Sequence, residues 1–395
     1  MMQILTPPAM VKPGIMRSLP RLRGIMSFFK KLLGRATAPS TVTGFWNWFA
    51  PNQTTFFNII KKRDGDLIHR RLLDKIVPRL QALNPKFYCE TGMVDDAMAE
   101  LVISAEGDIK SFVFVEELIA AAPVLANWKF TALKPSTGMG TSIKMNGVCF
   151  DNTTIRFFYE EEPGYPDEIN LVMVHPDFSA GQQKTVTQGC LLYLDALLGE
   201  LNAATLIDNV DVKAPDTATD MRLIPMDKLT EFLNWKEKEF VEKYEGARHD
   251  TEGDEYAALE GKDEEGLPSI GIVNSDLLNW DAKASHPWMM VVTFDFSNAK
   301  GTGDNGMPDE NQFEAFSLLQ DDLDGQLTDI AGYLNLGRET YKGESKIYYA
   351  CKEFRSVSKL VDQIVRTHEK AGLLCSYQIY KDKYWRTMDK FLEAL

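Results

Sequence analysis

The sequence is poor in the side chains that carry reactive chemistry. Its five cysteines, at 89, 149, 190, 351 and 375, are odd in number, and no two are close enough to form a C-x-x-C unit. That spacing excludes a disulfide framework and a zinc-ligand pattern. Each cysteine lies in or beside an apolar run, where a free thiol packs as a small hydrophobe, so the compartment is expected to be reducing and the location cytoplasmic. The five histidines, at 69, 175, 249, 286 and 368, include no H-x-H or H-E-x-x-H spacing, and no G-x-S-x-G accompanies them. No catalytic residue, cofactor or metal site is expected from these absences. Nor is there an uncharged apolar run of about 18 residues. The longest candidate, FVFVEELIAAAPVL from Phe112, is interrupted by Glu116 and Glu117. Secretion is disfavoured because Lys30 and Lys31 break the apolar stretch of IMSFFKKLLGR.

Acidic residues are missing from the start of the chain. The first is Asp64, so residues 1–63 carry ten Lys or Arg and no carboxylate, while 33 basic and 57 acidic residues follow. An acidic body repels phosphate backbones, so no nucleic-acid partner is expected. Residues 1–44 hold five prolines and are expected to be a disordered basic leader. Met1, Met16 and Met26 are each a plausible start. From Met26 the leader forms a short amphipathic turn, which leaves membrane-surface contact as a minor alternative.

With 395 residues, 44% hydrophobic and 11% aromatic, the chain has enough apolar area for two cores and is expected to be α+β. Residues 45–244 read as an N-terminal domain with a mainly antiparallel sheet and flanking helices. DLIHRRLLDKIVPRLQAL, from Asp66, is helical with a kink or restart at Pro78. Residues 245–266 read as a solvated acidic linker; the surrounding stretch 236–266 holds twelve Asp or Glu against five Lys or Arg. Such a stretch could also dock a basic partner. Residues 267–395 read as strand, helix, two strands, helix and strand, the order of a ferredoxin-like sandwich, followed by a final helix capped by Asp382. The helix from Asp309 to Leu327 is expected to turn Phe313, Phe316, Leu319, Leu323 and Leu327 inward.

Several strings look functional and fail on chemistry. GTGDNG, from Gly301, has dinucleotide-fingerprint spacing, but Pro308 delays the helix and Asp304, Asp309 and Glu310 would crowd a pyrophosphate. DDLDG, from Asp321, lacks the last carboxylate of a calcium loop, since Ala331 occupies that place. The polar cluster GRETYKGESK places Arg338, Thr340 and Tyr341 at the tip of an expected hairpin, where binding residues often collect. These three are the interaction candidates.

An ordered series of short patterns carries a resemblance. GLPSIGIVNSDLLNW, HPWMMVVTFDF, DNGMPDENQFEAFSLLQDDL, GRETYKGESKIYYAC and DKYWRTMDKFL resemble the bacterial family called domain of unknown function 695. That family is similar to the ferredoxin-like inhibitor of a ribonuclease E type enzyme, which implies regulation by protein contact. The runs FWNWF, AELVISAEG and LDALLGE resemble those that accompany this domain in Bacteroidetes-type proteins. The function expected is therefore that of a non-catalytic protein-binding or regulatory module, with another protein as partner and oligomeric state unspecified. The alternatives are an enzyme with a carboxylate and arginine site between the domains, and a membrane-surface accessory.

Overall fold

The Thr41 hydroxyl accepts from Gly44 N (3.1 Å) and caps helix α1 (Val42–Ile60), so residues 42–44, expected in the leader, are helical. The computed structural model describes residues 41–299, 302, 303 and 305–395. Residues 1–40 and the fingerprint positions Gly301 and Asp304 lie outside the described residues. Among the described residues the chain divides into two compact units, residues 41–161 with 169–236, and residues 162–168 with 237–395.

In the N-terminal unit, helix α2 (Gly65–Ile68) passes through a π-helical turn, His69–Leu73, into α3 (Asp74–Leu83). Pro78 lies inside α3 and has no N–H for the Asp74 carbonyl; the expected break is taken one turn earlier, as the widened turn. Two modules of the same design follow. Strands β1 (Tyr88–Met93) and β2 (Ala99–Ser104) pair antiparallel, helix α4 (Ile109–Ala120) crosses over, and β3 (Trp128–Ala132) pairs parallel to β2. The short hairpin β4 (Ile143–Met145) and β5 (Val148–Phe150) intervenes. Then β6 (Arg156–Glu160) and β7 (Asn170–Val174) pair antiparallel, helices α5 (Gln183–Leu198) and α6 (Glu200–Thr205) cross over, and β8 (Asn209–Lys213) pairs parallel to β7. The two-residue β9 (Ile224–Pro225) closes this sheet beside β6. The single, mainly antiparallel sheet expected here is thus three separate sheets, two of them mixed, because each crossover helix returns the chain parallel to the strand it left.

Each module has its own core. Phe49 and Trp46 of α1 pack edge-on against Trp128 and Phe130 of β3 (5.0 and 4.7 Å between centroids), and Trp46 donates to the Leu118 carbonyl. In the second module Phe150, Phe157, Met173, Tyr193 and Leu194 are buried together. Gly189 of α5 is required there, since a Cβ would stand 2.1 Å from the Phe150 ring. Glu200 joins the first module's turns to α6. Its buried carboxylate accepts from Ala105 N, Gly107 N and Lys134 N, each at 3.0 Å. In the second module the matching turn amide, Asp177 N, donates to His175 Nδ1 (3.1 Å), which puts that ring's proton on Nε2, toward the Cys149 carbonyl.

Helix α7 (Leu229–Tyr244) begins in the first unit and ends in the second. The C-terminal unit is a six-stranded antiparallel sheet: β10 (Tyr256–Lys262), β11 (Pro268–Asn274), β12 (Trp288–Asp295), β13 (Tyr333–Tyr341), β14 (Glu344–Cys351) and β15 (Cys375–Lys381). Its order is β10-β11-β13-β14-β12-β15, and every neighbouring pair is antiparallel. Helix α8 (Ser275–Leu278) follows β11, α9 (Glu310–Asp324) joins β12 to β13, and α10 (Arg355–Lys370) joins β14 to β15. Residues 256–262, expected as linker, are an edge strand; the alternation of Ala257 and Leu259 toward the core outweighs the acidic composition. The closing helix is shorter than expected. Asp382 accepts from Arg386 N, Thr387 N and the Thr387 hydroxyl around a Trp385 with φ of 58°, leaving only α11 (Asp389–Leu392). Trp385, Met388 and Phe391 still pack on Leu334, Leu336 and Val273, which form one face of the sheet's core. Gly372, with φ of 99°, ends α10 where the sequence places the stop.

Candidate functional site

The six-stranded sheet is wider than the helices on its other face. Strands β10 and β11 extend beyond α9, and an open cavity of about 460 Å³ lies in the angle between them. Its wall is α9, whose start is fixed by a capping box between Asp309 and Gln312. Gln312, Phe316, Leu319 and Leu323 are the inward stripe; Phe313, expected inward, is 53% exposed because it lies on the neighbouring stripe with Gln320 and Asp324. Gln320 and Asp324 line the cavity with Leu327.

The floor is β11 and β13, and its geometry depends on a bulge. Leu334 and Leu336 face the core under α11, so strict alternation would send Arg338 to that face as well. Between Asn335 and Gly337 the register slips by one residue, and Arg338 emerges on the α9 side, opposite Ile272. Gly337 makes the slip feasible: its φ is 133°, and a Cβ would stand 2.3 Å from the Ile272 carbonyl oxygen. Asn335 secures the bulge, accepting from Gly337 N (2.9 Å) and donating to Asp324 Oδ1 (2.8 Å).

Arg338 Nη1 donates to the neutral Gln320 Oε1 (2.8 Å), and its guanidinium lies 5.9 Å from the Phe316 ring centroid. Among the described residues no carboxylate comes within ion-pair distance of it. The cavity's own carboxylates are engaged elsewhere. Asp324 accepts from Tyr349, Asn335 and Gln320. Asp329 accepts from Thr251 N (2.8 Å) and the Thr251 hydroxyl (2.9 Å), and the Thr251 amide bond is the main cause that holds its carboxyl below the ordinary value. Burial pushes the Tyr333 hydroxyl at the far end up to about 12, so it stays protonated.

The three interaction candidates therefore separate. Arg338 lines the cavity. Thr340 shares its face but is bonded to the Ser345 hydroxyl across the hairpin (2.8 Å). Tyr341 points to the opposite side and donates to Asp263 (2.8 Å), which Lys342 also holds at 2.8 Å. The hairpin tip is Lys342 and Gly343, not the segment from Arg338, because β13 runs on to Tyr341. Sequence reasoning missed Gln320, Asn335 and Asp324; the readable signal was a glycine inside a strand pattern, two residues after an asparagine. No three His, Cys, Asp or Glu side chains gather as a metal would require among the described residues, and none of their helices is long and apolar enough to cross a membrane.

Most of the six-stranded sheet, α9 and the α11 closure fall in the segment where comparison with known proteins gives a result. Residues 259–393 match the family of unknown function DUF695. The matched region begins inside β10 and ends in the residues after α11, so the cavity's floor and helical wall lie within it. No curated protein and no solved structure matches the chain. The match gives this segment a family likeness, and no chemistry.

Proposed function

We propose that the DUF695 region is a non-catalytic protein-binding module, and that Arg338 receives an acceptor group of the partner, a carboxylate or a carbonyl, in the cavity. The observation that carries this reading is the uncompensated guanidinium. It is partly buried, fixed by a neutral side chain and set beside carboxylates that are already satisfied. A planar donor held in that way is suited to paired hydrogen bonds with an incoming acceptor. The strand order β13-β14-β12-β15, with α9 and α10 as crossovers, supports reading the unit as a ferredoxin-like sandwich with two added edge strands. General acid–base chemistry beside Arg338 would need a cavity carboxyl raised toward neutral pH. Asp329 is shifted the other way. Cytoplasmic location and bacterial origin belong to the same proposal, as does a partner other than nucleic acid.

The test is native isolation of the full chain and of Arg338→Ala, followed by titration of the purified partner against both. The wild-type chain should retain a stoichiometric partner whose association weakens with salt, and Arg338→Ala should lose about 1.5–3 kcal/mol of affinity. A chain that stays solitary across growth conditions, or an Arg338→Ala variant that binds as well as wild type, overturns the reading.

A further inference from the structure

The sheet ends on β10, and the register shows what that end presents. Ser275 N donates to Glu255 O (2.9 Å) at one end of the β10–β11 pair and Asp263 N to Leu267 O (3.0 Å) at the other. Antiparallel pairs alternate between bonded and non-bonded positions, so 255, 257, 259, 261 and 263 bond inward to β11. The N–H and C=O groups of Tyr256, Ala258, Glu260 and Lys262 therefore point out of the sheet, and all four residues are exposed. The pairing runs through seven residues without a bulge, and the strand contains no proline. Such edges are commonly blunted by those devices. β10 carries neither, and α9 does not reach over it.

The surroundings state which strand would fit. Glu252, Glu255, Glu260 and Glu264 are exposed on or beside β10, and none makes an ion pair among the described residues. Tyr256 adds an aromatic face, 53% exposed, at the cavity end of the strand. A second copy of β10 fits poorly: it brings the same exposed Glu255, Glu260 and Glu264 to the edge, in a chain of net charge −14. We infer that β10 accepts an extended, Lys- or Arg-bearing segment of a partner protein as a seventh strand. This inference rests on the reading of the unit as a protein-binding module and names the mode of contact. Main-chain bonds from the four outward residues supply the affinity, and the basic side chains select the partner by meeting Glu260 and the flanking glutamates.

The test uses the full chain and three synthetic peptides of about nine residues: alternating Lys and Val, alternating Glu and Val, and the first with prolines replacing two valines. The Lys peptide should bind at least about tenfold more tightly than either of the others, and less tightly as salt is added. On binding, hydrogen exchange should slow at the amides of 256, 258, 260 and 262. Ala258→Pro removes an outward N–H that β11 does not use, so it blocks the edge while the β10–β11 ladder stays paired. It should cut binding by about tenfold or more. Glu260→Lys, which leaves the backbone free, should weaken the Lys peptide several-fold and improve the Glu peptide. Equal binding of Lys and Glu peptides, no binding by any peptide, undiminished binding by Ala258→Pro, or a self-associating chain that Ala258→Pro turns monomeric would each overturn strand addition. A natural partner that is lost on Arg338→Ala but kept by Ala258→Pro would sink strand addition and leave the binding-module reading standing.

Discussion

Asp195 and Asp167 are carboxylates of the same kind whose surroundings push them in opposite directions. Burial raises the Asp195 carboxyl to about 6, and the nearby Lys134 only partly offsets it. A carboxyl raised on folding contributes stability that is present below its unfolded value and lost as pH rises through about 6. Asp195→Asn should therefore stabilise the protein at pH 7, by about 2 kcal/mol, and flatten the change in stability between about pH 4 and 6. Urea unfolding across that range checks it; an unchanged pH profile would mean the burial has no thermodynamic consequence. Glu200 is a different case, since three backbone amides converge on one buried carboxylate. Glu200→Ala leaves all three without an acceptor and should cost about 3 kcal/mol or more, measured by the same unfolding.

At the scale of elements, the parts legible in the sequence were those set by one dominant periodicity. The helix that became α10 has Val357, Val361, Ile364 and Val365 on one buried face, and the sequence alone marks its end at Gly372. What was not legible depended on partners distant in sequence. β10 reads as solvated linker because one of its faces is open and only Ala257 and Leu259 meet the core. The direction of Arg338 was hidden for the same reason: the bulge that turns it is visible only once β13 is paired with β14. That bulge makes Gly337→Ala informative. The φ of 133° and the approach of Ile272 leave no room for a Cβ. The substitution should cost about 2–3 kcal/mol, and if β13 relaxes to strict alternation Arg338 turns toward the core face. Loss of stability together with loss of partner binding is the expected result. Loss of stability alone, with binding intact in the folded fraction, would separate the bulge from the site.

For the whole molecule, two facts escape a linear reading. The N-terminal unit repeats a β-β-α-β module, yet its versions differ in crossover length and satisfy the matching turn amide differently, one through Glu200 and one through His175. The C-terminal unit is discontinuous, since it includes residues 162–168. Within it, Asp167 accepts from Lys243 (2.8 Å), Tyr244 (2.7 Å) and Tyr384 (2.5 Å), and Arg386 lies 3.5 Å from the Tyr165 ring centroid while bonding Glu162 and Glu168. Burial pushes the Asp167 carboxyl up, and the bonds from Lys243, Tyr384 and Tyr244 outweigh it, so its pKa falls below the ordinary value. A carboxyl lowered on folding contributes stability that is present above its unfolded value, about 3.9, and is lost as pH falls through the lower folded one. Acid should therefore loosen this segment first around Tyr384, while the same fall in pH from about 6 relieves Asp195 in the other unit. In the full chain at pH 7, Asp167→Ala should speed hydrogen exchange from Lys381 to Met388 and leave the β2 amides unchanged. If exchange in 381–388 stays as slow as in wild type, the bonds to the Asp167 carboxylate contribute no stability to this segment.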